Sequence, residues 1–301
     1  MVKTSGYSLE AQLIALCKFG RITPRMFEAL FPRFGGVDKM LEASKSEYSA
    51  MKDVSPQLAS SLGAASDHLD RAALLVESIS ERDIHVKTRF GEDYPRQLLE
   101  LNDPPPLLFV RGSLPDAGRP SVTIVGASKA SNNGIQMTTR LARMFIEAQV
   151  QVVSSLRGGI DAAVHLGSKA VGGTSFALVD SGFDHLAGEE IMPLAIDIAH
   201  TGGVISEYLP DQPQTEQTMK ETNRLLVGLT HAFVISEMYA DSGGVLDLLS
   251  FCSQIGKLTF IVVDPEIGAL SDKDSLRHAL ENGAIPIEGY DKVDNIINAL
   301  V

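Results

Sequence analysis

Ser121-Val122-Thr123-Ile124-Val125-Gly126-Ala127-Ser128-Lys129-Ala130-Ser131-Asn132-Asn133-Gly134 is the stretch whose reading decides the fold. Its first five residues are largely apolar and β-branched, as in a strand covered on both faces. A turn over 126–134 follows, and residues 137–148 then place apolar side chains at helical spacing. The same alternation recurs downstream. Residues 150–154, 174–179, 203–206, 232–236 and 258–263 read as strands, with 284–287 as a further one. Helices are predicted over 160–171 and near 189–200, 218–229, 244–255, 272–281 and 292–300. Strands that alternate with helices in this way specify a parallel α/β sheet.

Upstream the pattern changes. Residues 8–82 read as short helices broken by Gly and Pro. Thr23 can cap a helix with Pro24 at its first position. Ser44 and Glu47 have capping-box spacing, and Ser55-Pro56 opens another helix. Such a set suits a helix-hairpin-helix or related small bundle, whose role can equally be DNA contact, protein contact or packing. Residues 84–120 form a junction with a strand near 84–88 and an apolar one near 107–110, separated by the stiff segment Asp103-Pro104-Pro105-Pro106. The expected organisation is a helical domain over 1–83, an extended junction over 84–120 and an α/β domain over 121–301.

Composition narrows the function classes. The 301 residues are 44% hydrophobic and 21% charged, which specifies a globular chain. No apolar run approaches the length of a membrane span, and residues 1–6 lack the apolar stretch of a secretory signal. Two cysteines cannot make a disulfide framework, and the closest of the seven histidines are 15 residues apart. A cytoplasmic protein with no structural metal, no cofactor and no membrane contact is expected. The net charge of −12 is unevenly spread: residues 121–301 hold 11 basic against 22 acidic side chains. A general basic surface for nucleic acid is thereby excluded from this part, so any polyanion site there must be local.

In open parallel sheets ligands sit beyond the carboxyl ends of the strands. After the first strand, Gly126, Ser128, Lys129, Ser131 and Gly134 form a turn into a helix amino terminus, a setting that favours an anion. It is not G-x-G-x-x-G, and the second strand ends in Ser154-Ser155 rather than an acidic residue, which disfavours a nicotinamide dehydrogenase. The second strand leads to Arg157, Gly158 and Gly159, where an arginine can meet a phosphate. Asp161 is either a helix cap or a functional carboxylate. His165 lies four residues on, and a structural pair with Asp161 is the simpler reading. Lys220, Asn223 and Arg224 open a later helix as polar donors. Glu237 reads as a catalytic carboxylate or, more simply, a solvated strand end. Ser242 and Gly243 make a last turn into a helix.

Taken together, these segments resemble the DNA-processing protein A (DprA/Smf) family over nearly the whole chain. The resemblance runs through Tyr94-Pro95-Arg96-Gln97-Leu98 and Asp103-Pro104-Pro105, the loop over 125–134, and residues 155–161 with His165 in register. It continues through Ser206-Glu207-Tyr208, Asn223-Arg224, Ser242-Gly243 and Gly283-Ala284. It implies an extended Rossmann-like sheet with a small N-terminal all-α (SAM-like) domain. It also implies non-catalytic binding of single-stranded DNA, delivery of that DNA to RecA in natural transformation and recombination, and a homodimer. The chain departs from the family pattern at three arginine positions, where Ser128, Gly158 and Thr222 stand, with Lys129 and Arg157 one position away. Asn133 replaces a tyrosine and Asp247 a threonine, and the family's C-terminal winged helix is expected to be lacking. The alternative is a nucleotide-binding sensor or nucleoside-monophosphate hydrolase. Glycine turns kept without the arginines suit one phosphate better than a polynucleotide, although only Asp241-Ser242-Gly243-Gly244 resembles that group's signature.

Overall fold

Thr23, Ser44 and Ser55 cap three helices of the N-terminal part at the predicted positions. This is a computed structural model, and it describes residues 4–186, 191–239, 242–264, 268–269, 271–288 and 293–300. The contact pattern divides the chain into Met1–Val110 and Arg111–Val301. The first unit holds α1 (Leu9–Ile14), continued by a π turn over Ala15–Phe19, then α2 (Pro24–Phe34), α3 (Val37–Glu42), α4 (Lys45–Ser49), α5 (Pro56–Gly63) and α6 (Leu69–Ser80). The Thr23 hydroxyl accepts from Met26 N–H with Pro24 at the first position of α2. Ser44 and Glu47 form both bonds of a capping box at α4, and Gly35 ends α2 in the left-handed conformation that costs glycine least. Strands β1 (His85–Thr88) and β2 (Leu107–Gly112) pair antiparallel.

The second unit runs β3 (Ser121–Val125), α7 (Asn132–Glu147), β4 (Gln151–Ser155), α8 (Ile160–Ala170), β5 (Ser175–Val179), α9 (Met192–Thr201), β6 (Gly203–Ser206), α10 (Glu216–Gly228) and β7 (Ala232–Ile235). It continues with α11 (Gly243–Ile255), β8 (Leu258–Asp264), the two-residue β9 (Gly268–Ala269), α12 (Lys273–Glu281), β10 (Ile285–Glu288) and α13 (Val293–Leu300). Seven strands lie side by side in the order β6-β5-β4-β3-β7-β8-β10, every neighbouring pair parallel. This is the α/β class expected from the alternation. After β3 the chain builds outward through β4, β5 and β6, then returns to place β7 on the other flank of β3. That reversal opens a crevice at the carboxyl ends, where such sheets bind ligands.

One helix differs from its predicted start. The expected turn runs to Gly134 and the expected helix starts at Met137, but α7 begins at Asn132 because Ser131 caps it, accepting from Gly134 N–H at 2.9 Å. A cap overrides the weak helix preference of Asn-Asn-Gly. Met137, Leu141 and Phe145 then recur every fourth residue and bury one face of α7 against Val122, Ile124, Val152 and Val164. Full burial of each such side chain stabilises the unit by about 1.5–3 kcal/mol. On its other flank α7 lies close to α8: a Cβ at Gly167 would stand 2.5 Å from Thr139 O. Among the described residues no helix is long and apolar enough to cross a membrane.

Candidate functional site

β3 ends at Val125 and β4 at Ser155, and the loops after them touch. Ile160 N–H donates to Ala127 O at 3.1 Å. Gly159 has φ +55°, and a Cβ there would stand 2.3 Å from Ser128 O, so only glycine lets the second loop lie on the first. Beside this contact is a cavity of about 370 Å³. Its polar wall is Ser128, Arg157, Asp161, Asp180, Ser181, Gln214 and Ser242; its apolar wall includes Leu156, Leu178, Met219 and Leu248. Among the described residues no aromatic side chain lines it.

Arg157 does not stand free in solvent. Its side chain is 17% exposed and Nε donates to Asp180 Oδ2 at 2.8 Å. Nη1 donates to Asn223 Oδ1 at 3.1 Å and Nη2 to Met219 O at 3.0 Å. Gln214 Nε2 donates to the other Asp180 oxygen at 2.7 Å. The arginine therefore crosses from the β4–α8 loop to the end of β5 and to α10. Asp180 was missed in the sequence, although its place directly after β5 is where strand-end reasoning looks. Among the described residues the cavity wall carries two carboxylates against one guanidinium.

Asp161 is not a helix cap, since Gly159 occupies the cap position of α8 without a side-chain bond. Its buried carboxylate accepts from the Ser155 hydroxyl and, at 3.3 Å, from Gly126 N–H. Burial pushes its pKa up to about 6, against the opposing effects of the Ser155 bond and the Arg157 charge. His165 turns away from Asp161. Its Nε2 bonds Ser155 O at 3.0 Å and its Nδ1 bonds the Ser175 hydroxyl at 2.9 Å. A carbonyl oxygen only accepts, which assigns the proton to Nε2. Burial lowers the imidazole pKa to about 4, so the ring stays neutral. The predicted Asp/His pair is two separate anchors on one residue, Ser155.

Glu237 is not a solvated strand end. It is fully buried, and its carboxylate accepts from Ser131 N–H at 2.9 Å, the Ser131 hydroxyl at 2.5 Å and the Tyr239 hydroxyl at 2.6 Å. Burial and the Glu237 bond raise the Tyr239 pKa. Gly134 faces the same carboxylate. Ser131 and Gly134 are thus engaged by the protein's own anion.

The remaining candidates lie in different settings. Lys129 is exposed and follows Ser128. Gly126 and Ser128 line the cavity, whereas Gly158 turns the second loop with φ +96°. Lys220 is exposed and pairs with Glu216 one helical turn earlier. Arg224 is buried in a two-pronged pair with Glu207, at 2.7 and 2.5 Å, and also donates to Glu221 O. Neither Lys220 nor Arg224 lines the cavity. Ser242 lines it and Gly243 begins α11; Asp241 lies outside the described residues. Among the described residues no group of three His, Cys, Asp or Glu could hold a metal ion.

Known proteins share this fold. The Smf protein of Synechocystis is 30% identical over 175 residues, covering 57% of this chain and 44% of that protein, so the match spans less than half of its length. The solved DNA processing protein A of Streptococcus pneumoniae superposes with a TM-score of 0.76 at 22% identity, covering 96% of this chain and 98% of that one. That of Helicobacter pylori, a structure concerned with its single-stranded DNA binding mode, superposes with a TM-score of 0.60 at 23% identity. It covers 72% of this chain and 95% of the other. At these identities the two superpositions establish the fold. Residues 85–300 match the family model for DNA recombination-mediator protein A. With the match spanning well over half of its residues, the chain belongs to the DNA recombination-mediator protein A family.

Proposed function

We propose that this chain binds single-stranded DNA during DNA processing and passes it on without catalysing a reaction. Family membership over residues 85–300 supports the reading, as does the Helicobacter pylori relative that binds single-stranded DNA. The observation that carries it is the cavity of about 370 Å³ at the carboxyl ends of β3, β4 and β5, walled by two glycine loops. Its hydroxyls and Arg157 supply donors, with Lys129 beside them. The titratable groups singled out in the sequence are occupied: Asp161 and His165 by Ser155, Glu237 by Ser131 and Tyr239. Delivery to RecA, a cytoplasmic location, a homodimer and an independent domain over 121–301 belong to the same proposal.

A single nucleotide is the second reading. It is favoured by the engagement of Arg157 and Arg224 with carboxylates, which leaves little basic surface for a long strand. One titration separates the two: labelled single-stranded oligonucleotide and nucleoside monophosphates against the same preparation. Oligonucleotide binding that mononucleotides fail to displace supports the first reading. Mononucleotide binding with turnover lost on Glu237→Gln would favour the hydrolase.

A further inference from the structure

Glu237 holds the first loop at two points. Its main-chain carbonyl accepts from Ala127 N–H at 2.8 Å, and its carboxylate takes the N–H and hydroxyl of Ser131. Between those anchors lie only Ser128, Lys129 and Ala130. The carboxylate is completely buried, yet its bonded partners are neutral groups and no described Lys or Arg forms an ion pair with it. A buried charge needs compensation. The compensation available is the positive end of the 16-residue α7, whose capping residue Ser131 gives the carboxylate both its N–H and its hydroxyl. Gly134 completes the fit, because a Cβ there would stand 2.4 Å from Glu237 Oε2.

We propose that Glu237 is the resident anion of α7: it positions Ser128 and Lys129 at the cavity rim and keeps a ligand phosphate off the helix end. This rests on the reading that the cavity binds DNA, and it changes where the strand's phosphate goes. In a strand-to-helix turn of this type the helix end is the ordinary phosphate site. Here that place is taken, so a phosphate meets the loop's outer side, at Ser128 and Lys129.

The test uses the full chain with Glu237→Ala, which vacates the helix end, and Glu237→Gln, which keeps the shape and removes the charge. Thermal unfolding is measured in chloride, acetate and inorganic phosphate at matched ionic strength, and affinity with a labelled oligodeoxythymidylate. Expected for Glu237→Ala is a lower Tm in chloride, a rise in acetate or phosphate larger than wild type shows, and DNA affinity weakened roughly tenfold that acetate restores. Glu237→Gln should fold, bind more weakly and gain nothing from acetate, because its amide fills the space. A phosphate-dependent rise in wild type equal to that of Glu237→Ala would overturn the proposal. Wild-type DNA affinity in Glu237→Gln would do so as well, even where Glu237→Ala fails to fold. If wild type binds no DNA, the functional reading fails, while the anion-dependent melts still decide the role of Glu237.

Discussion

Replacing Asp180 with Asn should tighten DNA binding, because it frees Arg157 from its carboxylate competitor. The bond at stake is the 2.8 Å contact from Nε to Asp180 Oδ2, between side chains 17% and 10% exposed. Asn223 and Met219 O would still aim the guanidinium. A cation released in place contributes one more phosphate contact, which for a single strand steepens log K against log salt by about 0.7. At about 0.1 M monovalent salt that one contact multiplies affinity by about fivefold, and the gain should vanish near 1 M. The change also weakens a charge-assisted bond, costing up to about 3 kcal/mol of stability, so melts should confirm that the variant stays folded. Fluorescence anisotropy of a labelled oligonucleotide across a salt series measures both quantities. A slope equal to wild type, or weaker binding at every salt concentration, would refute the idea that Arg157 faces the strand.

Lys129→Glu should weaken oligonucleotide binding while shifting stability by no more than about 0.5 kcal/mol, since the residue is exposed; comparing its melt and its anisotropy titration checks this. Phe145→Ala should cost about 3–5 kcal/mol, seen as a lower urea midpoint, because the ring is fully buried between α7 and the sheet. Stability should respond to pH through two groups of opposite sign. The folded pKa of Asp161 is raised from 3.8 to about 6, so the native state holds the extra proton and stability falls as pH rises between them. The folded pKa of His165 is lowered from 6.5 to about 4, so the unfolded state holds the proton and stability rises over nearly the same window. Asp161→Asn should therefore make stability climb more steeply from about pH 4 to 6.5 than in wild type, and an unchanged profile in denaturant titrations would count against it.

Strands were legible because burial on both faces leaves an apolar, β-branched record, as in Ser121–Val125. Caps were legible at Thr23 and Ser44 because they are local. The start of α7 was not, since the cap at Ser131 hides among residues that equally suit a turn. The site was readable as a set of strand ends but not as a set of partnerships. Arg157 lines the cavity together with Ser128 of the first loop, yet Asp180, which engages it, lies 23 residues on and meets it only across β5. Glu237 shows the same limit more sharply. Nothing at positions 236–239 distinguishes a carboxylate facing solvent from one turned into a helix end 106 residues earlier. Side-chain direction at a strand terminus is decided by what packs there.

The seating of Gly159 on the carbonyls of Ala127 and Ser128 has a mechanical consequence. Two loops in backbone contact, joined also by the Ile160–Ala127 bond, share one degree of freedom, so neither can retreat from a ligand alone. The cavity has a stiff wall on the side of β3 and β4. Accommodation must come from the opposite side, where the contacts are side chains such as Gln214 and Met219 that change rotamer at small cost. A bulkier residue at 159 would act as a wedge, driving the loops apart and altering ligand choice without touching any group that meets the ligand.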